Sequence, residues 1–155
     1  MNYKVFAPHD CHTEVELPAS KSISNRALVI NALCDDSIPI TNVSDCDDTR
    51  VMKQAFTKKN SSIDIHGAGT AMRFLTAYYA QNRDYECIIS GSERMKQRPI
   101  KILVDALRSL GADIRYVDKE GFPPLQIFGK ELRGGELSLP GNVSSQYISA
   151  LLMIA

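Results

Sequence analysis

The sequence predicts an α/β fold built from repeated β/α units, and three observations carry that expectation. Short apolar stretches bounded by Pro, Gly or polar residues alternate with longer segments of helical period. Four polar turns, at 18–22, 66–70, 91–98 and 140–146, each lead into a helix. Two of those turns share a pattern: Leu17-Pro18 and Leu139-Pro140 both read as strand end, proline, small turn, serine, apolar helix. Weak repetition of this kind predicts units whose turns all lie at one end of a sheet, where ligands of such folds gather. With 155 residues the chain can bury one real core.

Taken in order, residues 3–7 and 13–17 read as strands joined by a polar turn. A helix starts near Ser20 or Ser22 and runs through Leu33, with Ser22 a good N-cap just after the strand-ending Pro18. Ile23, Ala27, Leu28, Val29, Ile30 and Leu33 cover most of its surface, which predicts burial against a sheet. Residues 39–43 read as a strand. Asp47 or Asp48 then caps a helix carrying Val51, Met52, Ala55 and Phe56 at helical spacing. After a loop at 58–62 come a strand at 63–65, the turn His66-Gly67-Ala68-Gly69-Thr70 and an apolar helix over 71–80. Glycines in such a turn let backbone N–H groups approach a ligand where a Cβ would collide. No G-K-[ST] follows, so this is not a P-loop, and His66 reads as a strand-end residue rather than a base.

The next unit opens with a strand at 86–90 and a turn holding Arg94, Lys96 and Arg98. Pro99 is expected at the first position of a helix whose core stripe is Ile100, Leu103, Val104, Leu107 and Leu110, ended by Gly111. Strands follow at 112–117, 124–128 and 136–139, then a last apolar helix over 147–155. That helix stops at Met153-Ile154-Ala155 with no glycine, no cation and no polar exit, which reads as a fragment of something longer.

Composition removes several functions. Lys+Arg and Asp+Glu both number 18, so a general nucleic-acid binder, with its usual basic excess, is disfavoured. Cys11, Cys34, Cys46 and Cys87 are scattered, with no C-x-x-C and no histidine at metal-ligand spacing. They read as reduced, mostly buried thiols of an intracellular, cytoplasmic protein. No apolar run approaches membrane-spanning length, and the N-terminus looks like neither a signal nor a transit peptide.

What remains is an anion site. A helix N-terminus offers unpaired N–H groups and partial positive charge, and Lys21 and Arg26 add two full charges beside the first helix start. Taken alone, that turn is equally an ordinary capped helix with two solvated cations. Together with the cationic turn at 91–98, it predicts a phosphate or carboxylate site.

Four stretches then carry a resemblance: Ser20 to Leu28 (Ser-Lys-Ser-Ile-Ser-Asn-Arg-Ala-Leu), Gly69 to Arg73 (Gly-Thr-Ala-Met-Arg), Arg94 to Ile100 (Arg-Met-Lys-Gln-Arg-Pro-Ile) and Ser144-Ser145-Gln146. In order and rough spacing they resemble the 5-enolpyruvylshikimate-3-phosphate (EPSP) synthase family, over nearly the whole chain. The sister UDP-N-acetylglucosamine enolpyruvyltransferases are less similar, having Lys-Asn at Lys21-Ser22 and a loop cysteine near Arg94. The resemblance implies two domains, each of three β/α units with helices buried beneath sheets, and substrates in the cleft between them. Residues 1–18 would be a strand pair partly belonging to a second domain. Residues 19–155 would hold about two units of an incomplete first domain.

The implied reaction moves the enolpyruvyl group of phosphoenolpyruvate to the 5-hydroxyl of shikimate 3-phosphate and releases phosphate. By resemblance, Lys21 reaches phosphoenolpyruvate and the reacting hydroxyl, while Ser22 and Arg26 hold the shikimate carboxylate. Gly69 lines the phosphoenolpyruvate pocket, where the inhibitor glyphosate also sits, and Arg94 meets the phosphoenolpyruvate phosphate. Ser144 and Ser145 hold the phosphate of shikimate 3-phosphate, with Gln146 on its ring. No metal or organic cofactor is implied, and the substrates are joined as partners only by the remainder of the same polypeptide. The mechanism would be addition then elimination, with its acid and base carboxylates beyond Ala155, so the chain alone is expected to bind weakly without turnover.

Arg73, Lys96 and Arg98 are expected to be ion-paired supports, and the Asp47-Asp48 pair to cap rather than to exchange protons. Two departures stand out. Gly67 replaces a common Asn of the family, and residues 52–67 are short, as if a hairpin were missing. The alternative from another class is a noncatalytic phosphoanion-binding or RNA-end-binding module, because RNA 3′-phosphate cyclases have a related β/α-repeat fold.

Overall fold

A computed structural model describes residues 3–58 and 60–155. Its centre is the helix α3 (Gly69–Gln81), buried at eleven of thirteen positions. The sequence explains this: Ala71, Met72, Phe74, Leu75, Ala77 and Ala80 make most of its surface apolar, and a helix with so wide an apolar face must be enclosed. Each fully buried Phe or Leu there contributes about 1.5–3 kcal/mol. α1 (Lys21–Leu33), α2 (Asp47–Thr57), α5 (Lys101–Ser109) and α6 (Ser145–Met153) pack around it.

The remaining side is covered by one four-stranded sheet of order β1-β2-β4-β3. It comprises β1 (Ser62–Asp64), β2 (Glu86–Ser90), β3 (Asp113–Tyr116) and β4 (Leu125–Phe128). β1 and β2 run parallel, joined by α3 as their crossover, whereas β4 is antiparallel to both β2 and β3. In that register Ile63 sits beside Ile89, and Cys87 and Ile114 flank Ile127. All five are buried and line the helix-facing side. The outcome is the α/β architecture expected, with helices beneath a sheet.

Several local expectations need correction. No strand forms at 3–7, 13–17, 39–43 or 136–139. A strand is stabilised by the neighbour it pairs with, and residues 4–18 pair with none of the four strands, leaving Val5, Phe6, Val15 and Leu17 exposed. The cap of α1 is Ser20, whose Oγ accepts the Ile23 N–H at 3.4 Å, not Ser22. α1 packs on helices rather than on the sheet, and its inner side is partly polar: Ser24 and Asn25 are buried beside Val29, while Ile23 and Ile30 are exposed. Ser24 Oγ accepts the Ser44 N–H and Asn25 Oδ1 accepts the Thr49 hydroxyl, so hydrogen bonds replace apolar packing there.

Pro99 precedes α5 instead of opening it, because a short helix, α4 (Glu93–Lys96), intervenes and Ile100 takes the cap position. The Pro99 carbonyl instead accepts the Tyr147 hydroxyl at 2.8 Å, pinning the cationic turn to α6. Gly111 does end the α5 unit, at φ +99, a backbone region that side chains resist. α2 leads into β1 through residues 58–61 without an intervening strand among the described residues, in line with the short stretch expected there.

Candidate functional site

The start of α3 is where the other helix starts meet. Lys21, the first residue of α1, places its Nζ 2.8 Å from Asp48 Oδ2 in the first turn of α2. Asp48 Oδ1 in turn accepts the backbone N–H groups of Thr70 (2.8 Å) and Ala71 (3.3 Å) in the first turn of α3. From α6, Gln146 Nε2 donates to Thr70 Oγ1 at 3.3 Å. The starts of four helices are thus tied through Asp48 and Thr70.

Asp47 or Asp48 was expected to cap the helix that they open. The cap position of α2 is Cys46, without a side-chain hydrogen bond, and Asp48 caps α3 instead. Burial pushes its carboxyl up, but the hydrogen bond and charge of Lys21, with the Thr70 and Ala71 amides, outweigh that and hold it below the usual carboxylate range. A carboxylate in this place fixes the direction of the Lys21 ammonium, whose side chain is half exposed. It also occupies two of the first-turn amides of α3, those of Thr70 and Ala71.

Arg26, one turn along α1 from Ser22, donates from Nη2 to Ser149 Oγ of α6 at 2.8 Å and from Nη1 to the Ser22 carbonyl at 3.1 Å. Its guanidinium lies 5.5 Å from the centre of the Phe74 ring. Ser22 and Ser145 have exposed side chains, while Ser144 Oγ accepts the Gln146 N–H at 3.3 Å as the cap of α6. These residues therefore flank one seam, between α1 and α6, over the buried α3.

Arg94 lies on the other side of the α3 start. With Gly67, Ser92, Met95 and Arg98 it lines a cavity of about 490 Å³. Gly69 borders the same group, since a Cβ there would fall 2.5 Å from Arg98 Nη1. At Gly67 a Cβ would meet nothing within 4 Å, so the side chain absent there leaves open space. Lys21 and Arg26 do not line this cavity; they connect to it through Asp48, Thr70 and α3. A second, apolar cavity of about 700 Å³, walled by Leu110, Leu137, Leu139 and Leu151, holds none of the expected site residues.

Of the three expected ion-paired supports, only Lys96 is one, with Glu93 at 2.8 Å. Arg73 donates to the Gly69 carbonyl at 2.7 Å and stacks 5.2 Å from the Tyr147 ring. Arg98 has no carboxylate partner among the described residues. Sequence reasoning also missed Asp48, Thr70 and Ser149 as contacts. A signal for Asp48 existed: it falls on the same helical stripe as Val51, Met52 and Ala55, so its side chain had to point inward.

With this geometry in hand, a protein-family model described as EPSP synthase (3-phosphoshikimate 1-carboxyvinyltransferase) matches residues 5–58 and 53–155. The chain belongs to the EPSP synthase family. A 3-phosphoshikimate 1-carboxyvinyltransferase of Bacteroides fragilis (strain YCH46) is 60% identical over 154 residues, covering 99% of this chain and 37% of the relative. One from Haemophilus influenzae (strain PittEE) is 41% identical over 169 residues, covering 91% of this chain and 39% of the relative. Among solved structures, an EPSP synthase from Acinetobacter baumannii superposes with a TM-score of 0.81 at 23% identity, over 90% of this chain and 37% of that one. That last likeness carries the fold alone. The chain spans a little over a third of the length of these EPSP synthases. No helix among the described residues is long and apolar enough to cross a membrane.

Proposed function

We propose that this chain supplies part of the substrate cleft of an enzyme that transfers the enolpyruvyl group of phosphoenolpyruvate to the 5-hydroxyl of shikimate 3-phosphate. The observation that carries the reading is the junction at α3, where Lys21, Gly69 and Gln146 come together through Asp48 and Thr70. Shikimate 3-phosphate would lie along the α1–α6 seam. There Arg26 and Ser22 take its carboxylate, and Ser144, Ser145 and Gln146 take its phosphate and ring. An arginine clamps a carboxylate through two parallel N–H bonds, which lysine cannot do. Phosphoenolpyruvate would occupy the cavity beside Gly69 and Arg94.

Lys21, at the start of α1, stabilises the charge that develops as the hydroxyl adds to C2, the enol phosphate carbon of phosphoenolpyruvate. It needs no reorientation, because Asp48 has already fixed it. Paired with the Asp48 carboxylate, Lys21 has an electrostatic role. Residues up to 18 would pair with strands of a second domain; the apolar side chains exposed at Val5, Phe6, Val15 and Leu17 support that placement. The carboxylates that exchange protons with substrate would come from the same second domain, leaving this chain able to bind and unable to turn over. A cytoplasmic location suits four cysteines that form no disulfide.

Calorimetric titration of the 155-residue chain with shikimate 3-phosphate, and with a short 3′-phosphorylated RNA, tests the proposal. The sugar-acid phosphate should bind and the RNA should not. Arg26→Lys should weaken the former about tenfold or more, through loss of a charged hydrogen bond. Tighter RNA binding, or indifference to Arg26→Lys, would refute it.

A further inference from the structure

We propose that Arg98 is a second anion-binding group of the cavity beside Gly69, acting together with Arg94; this rests on the reading of that cavity as the phosphoenolpyruvate site. The two arginines line the cavity with Gly67 and Ser92, and neither has a carboxylate within ion-pair distance among the described residues. Elsewhere Arg50, Arg83 and Arg115 are ion-paired, and Arg26 and Arg108 donate to hydroxyl or carbonyl oxygens. Only Arg133, in the apolar groove, is comparably unengaged.

Arg73 stands behind the same spot. It is 8% exposed, its Nε is buried without a hydrogen-bond partner, and no carboxylate neutralises it. The position that a Gly69 Cβ would take is 2.5 Å from Arg98 Nη1 and 3.0 Å from Arg73 Nη1. Those two distances leave the nitrogens no more than about 5.5 Å apart. Like charges this close, one of them buried, repel unless an anion faces both. The cavity in front of Arg98 is where that anion fits, and a phosphoryl group has oxygens enough for both the Arg94 and Arg98 forks.

Gly69 acquires a specific reason from this arrangement. The Arg98 guanidinium lies over its Cα, in the space a side chain would fill, with Arg98 Cζ 3.1 Å from the ideal Cβ. Any larger residue displaces Arg98 before it touches the ligand. The Arg98 backbone is set by its N–H bond to the carbonyl of the buried Met95 at 2.9 Å, so the guanidinium reaches the cavity from a fixed point of the chain.

Titration of the 155-residue chain with phosphoenolpyruvate and with inorganic phosphate, followed by NMR of backbone amides and arginine side chains, tests the inference. Arg98→Gln should weaken both anions about tenfold, as expected for one charged hydrogen bond, with an unchanged urea midpoint because Arg98 is exposed. Arg98→Lys should restore part of the loss. Gly69→Ala should weaken binding to a similar degree, and the double variant Gly69→Ala/Arg98→Gln should be no weaker than either single one. Binding unaffected by Arg98→Gln but lost in Arg94→Gln overturns the role of Arg98 and leaves the site standing. Additive losses in the double variant overturn the coupling of Gly69 to Arg98. Failure of the parent chain to bind either anion overturns both the inference and the reading of the cavity.

Discussion

Replacing Asp48 by alanine removes the side-chain acceptor that caps the start of α3 and the counter-ion of Lys21. Asp48 Oδ1 holds two backbone donors, at 2.8 and 3.3 Å, and losing a helix cap costs about 1 kcal/mol. Thr70 and Ala71 are buried, so donors left unsatisfied there add roughly 1–2 kcal/mol. The Lys21 contact adds less than about 1 kcal/mol, since that side chain is half exposed and screened. Asp48→Ala should therefore destabilise the chain by about 2–4 kcal/mol at pH 7. Asp48→Asn, which keeps one acceptor oxygen, should cost roughly half as much. The native carboxyl is held below its unfolded value, so its stabilisation is complete above the unfolded pKa and disappears as pH falls through the folded one. Urea unfolding at pH 7 and in the acid range measures both effects: the gap between parent and Asp48→Asn should narrow as the carboxyl protonates. A loss below about 0.5 kcal/mol for Asp48→Ala, the range of ordinary surface changes, would refute the assignment, as would a gap independent of pH.

Two further outcomes follow from the packing. Gly129→Ala would drive a Cβ into the backbone carbonyl oxygens of Asn82 and Tyr79 at the end of α3, where no side chain can yield. It should cost more than about 3 kcal/mol, seen as loss of the cooperative urea transition or of soluble protein; a near-parental midpoint would contradict the packing. Cys87 is buried in β2, and burial with the nearby Glu86 charge pushes its thiol up to about 12. At pH 8 an aromatic disulfide reagent should label the exposed Cys11 and Cys34 promptly and Cys87 only after unfolding, and prompt native labelling of Cys87 would contradict its burial.

Local chemistry was readable wherever an element's identity depended on its own residues. The apolar run that becomes α3, the strand over 86–90, the glycine that ends the α5 unit and the serines that open α1 and α6 all follow from periodicity and caps. Three of the four helix starts that meet, those of α1, α3 and α6, were legible too, as polar turns leading into helices; that of α2 was not among them. The missing strands were not, because residues 3–7 and 13–17 have strand-like alternation but a strand exists only by pairing. The partners of charged groups were also hidden. Asp48 reads as a cap in its own helix, and only the packing of α2 against α3 turns it toward Thr70 and Lys21. Arg98 reads as a solvated or ion-paired cation, and only the fold sets its guanidinium over Gly69. The sequence by itself determined the α/β class, the helices and which residues carry charge into the turns, since propensity and hydropathy act within a few residues. Tertiary structure alone decided which of those charges face one another, because ion pairs and shared cavities depend on distances between segments far apart along the chain.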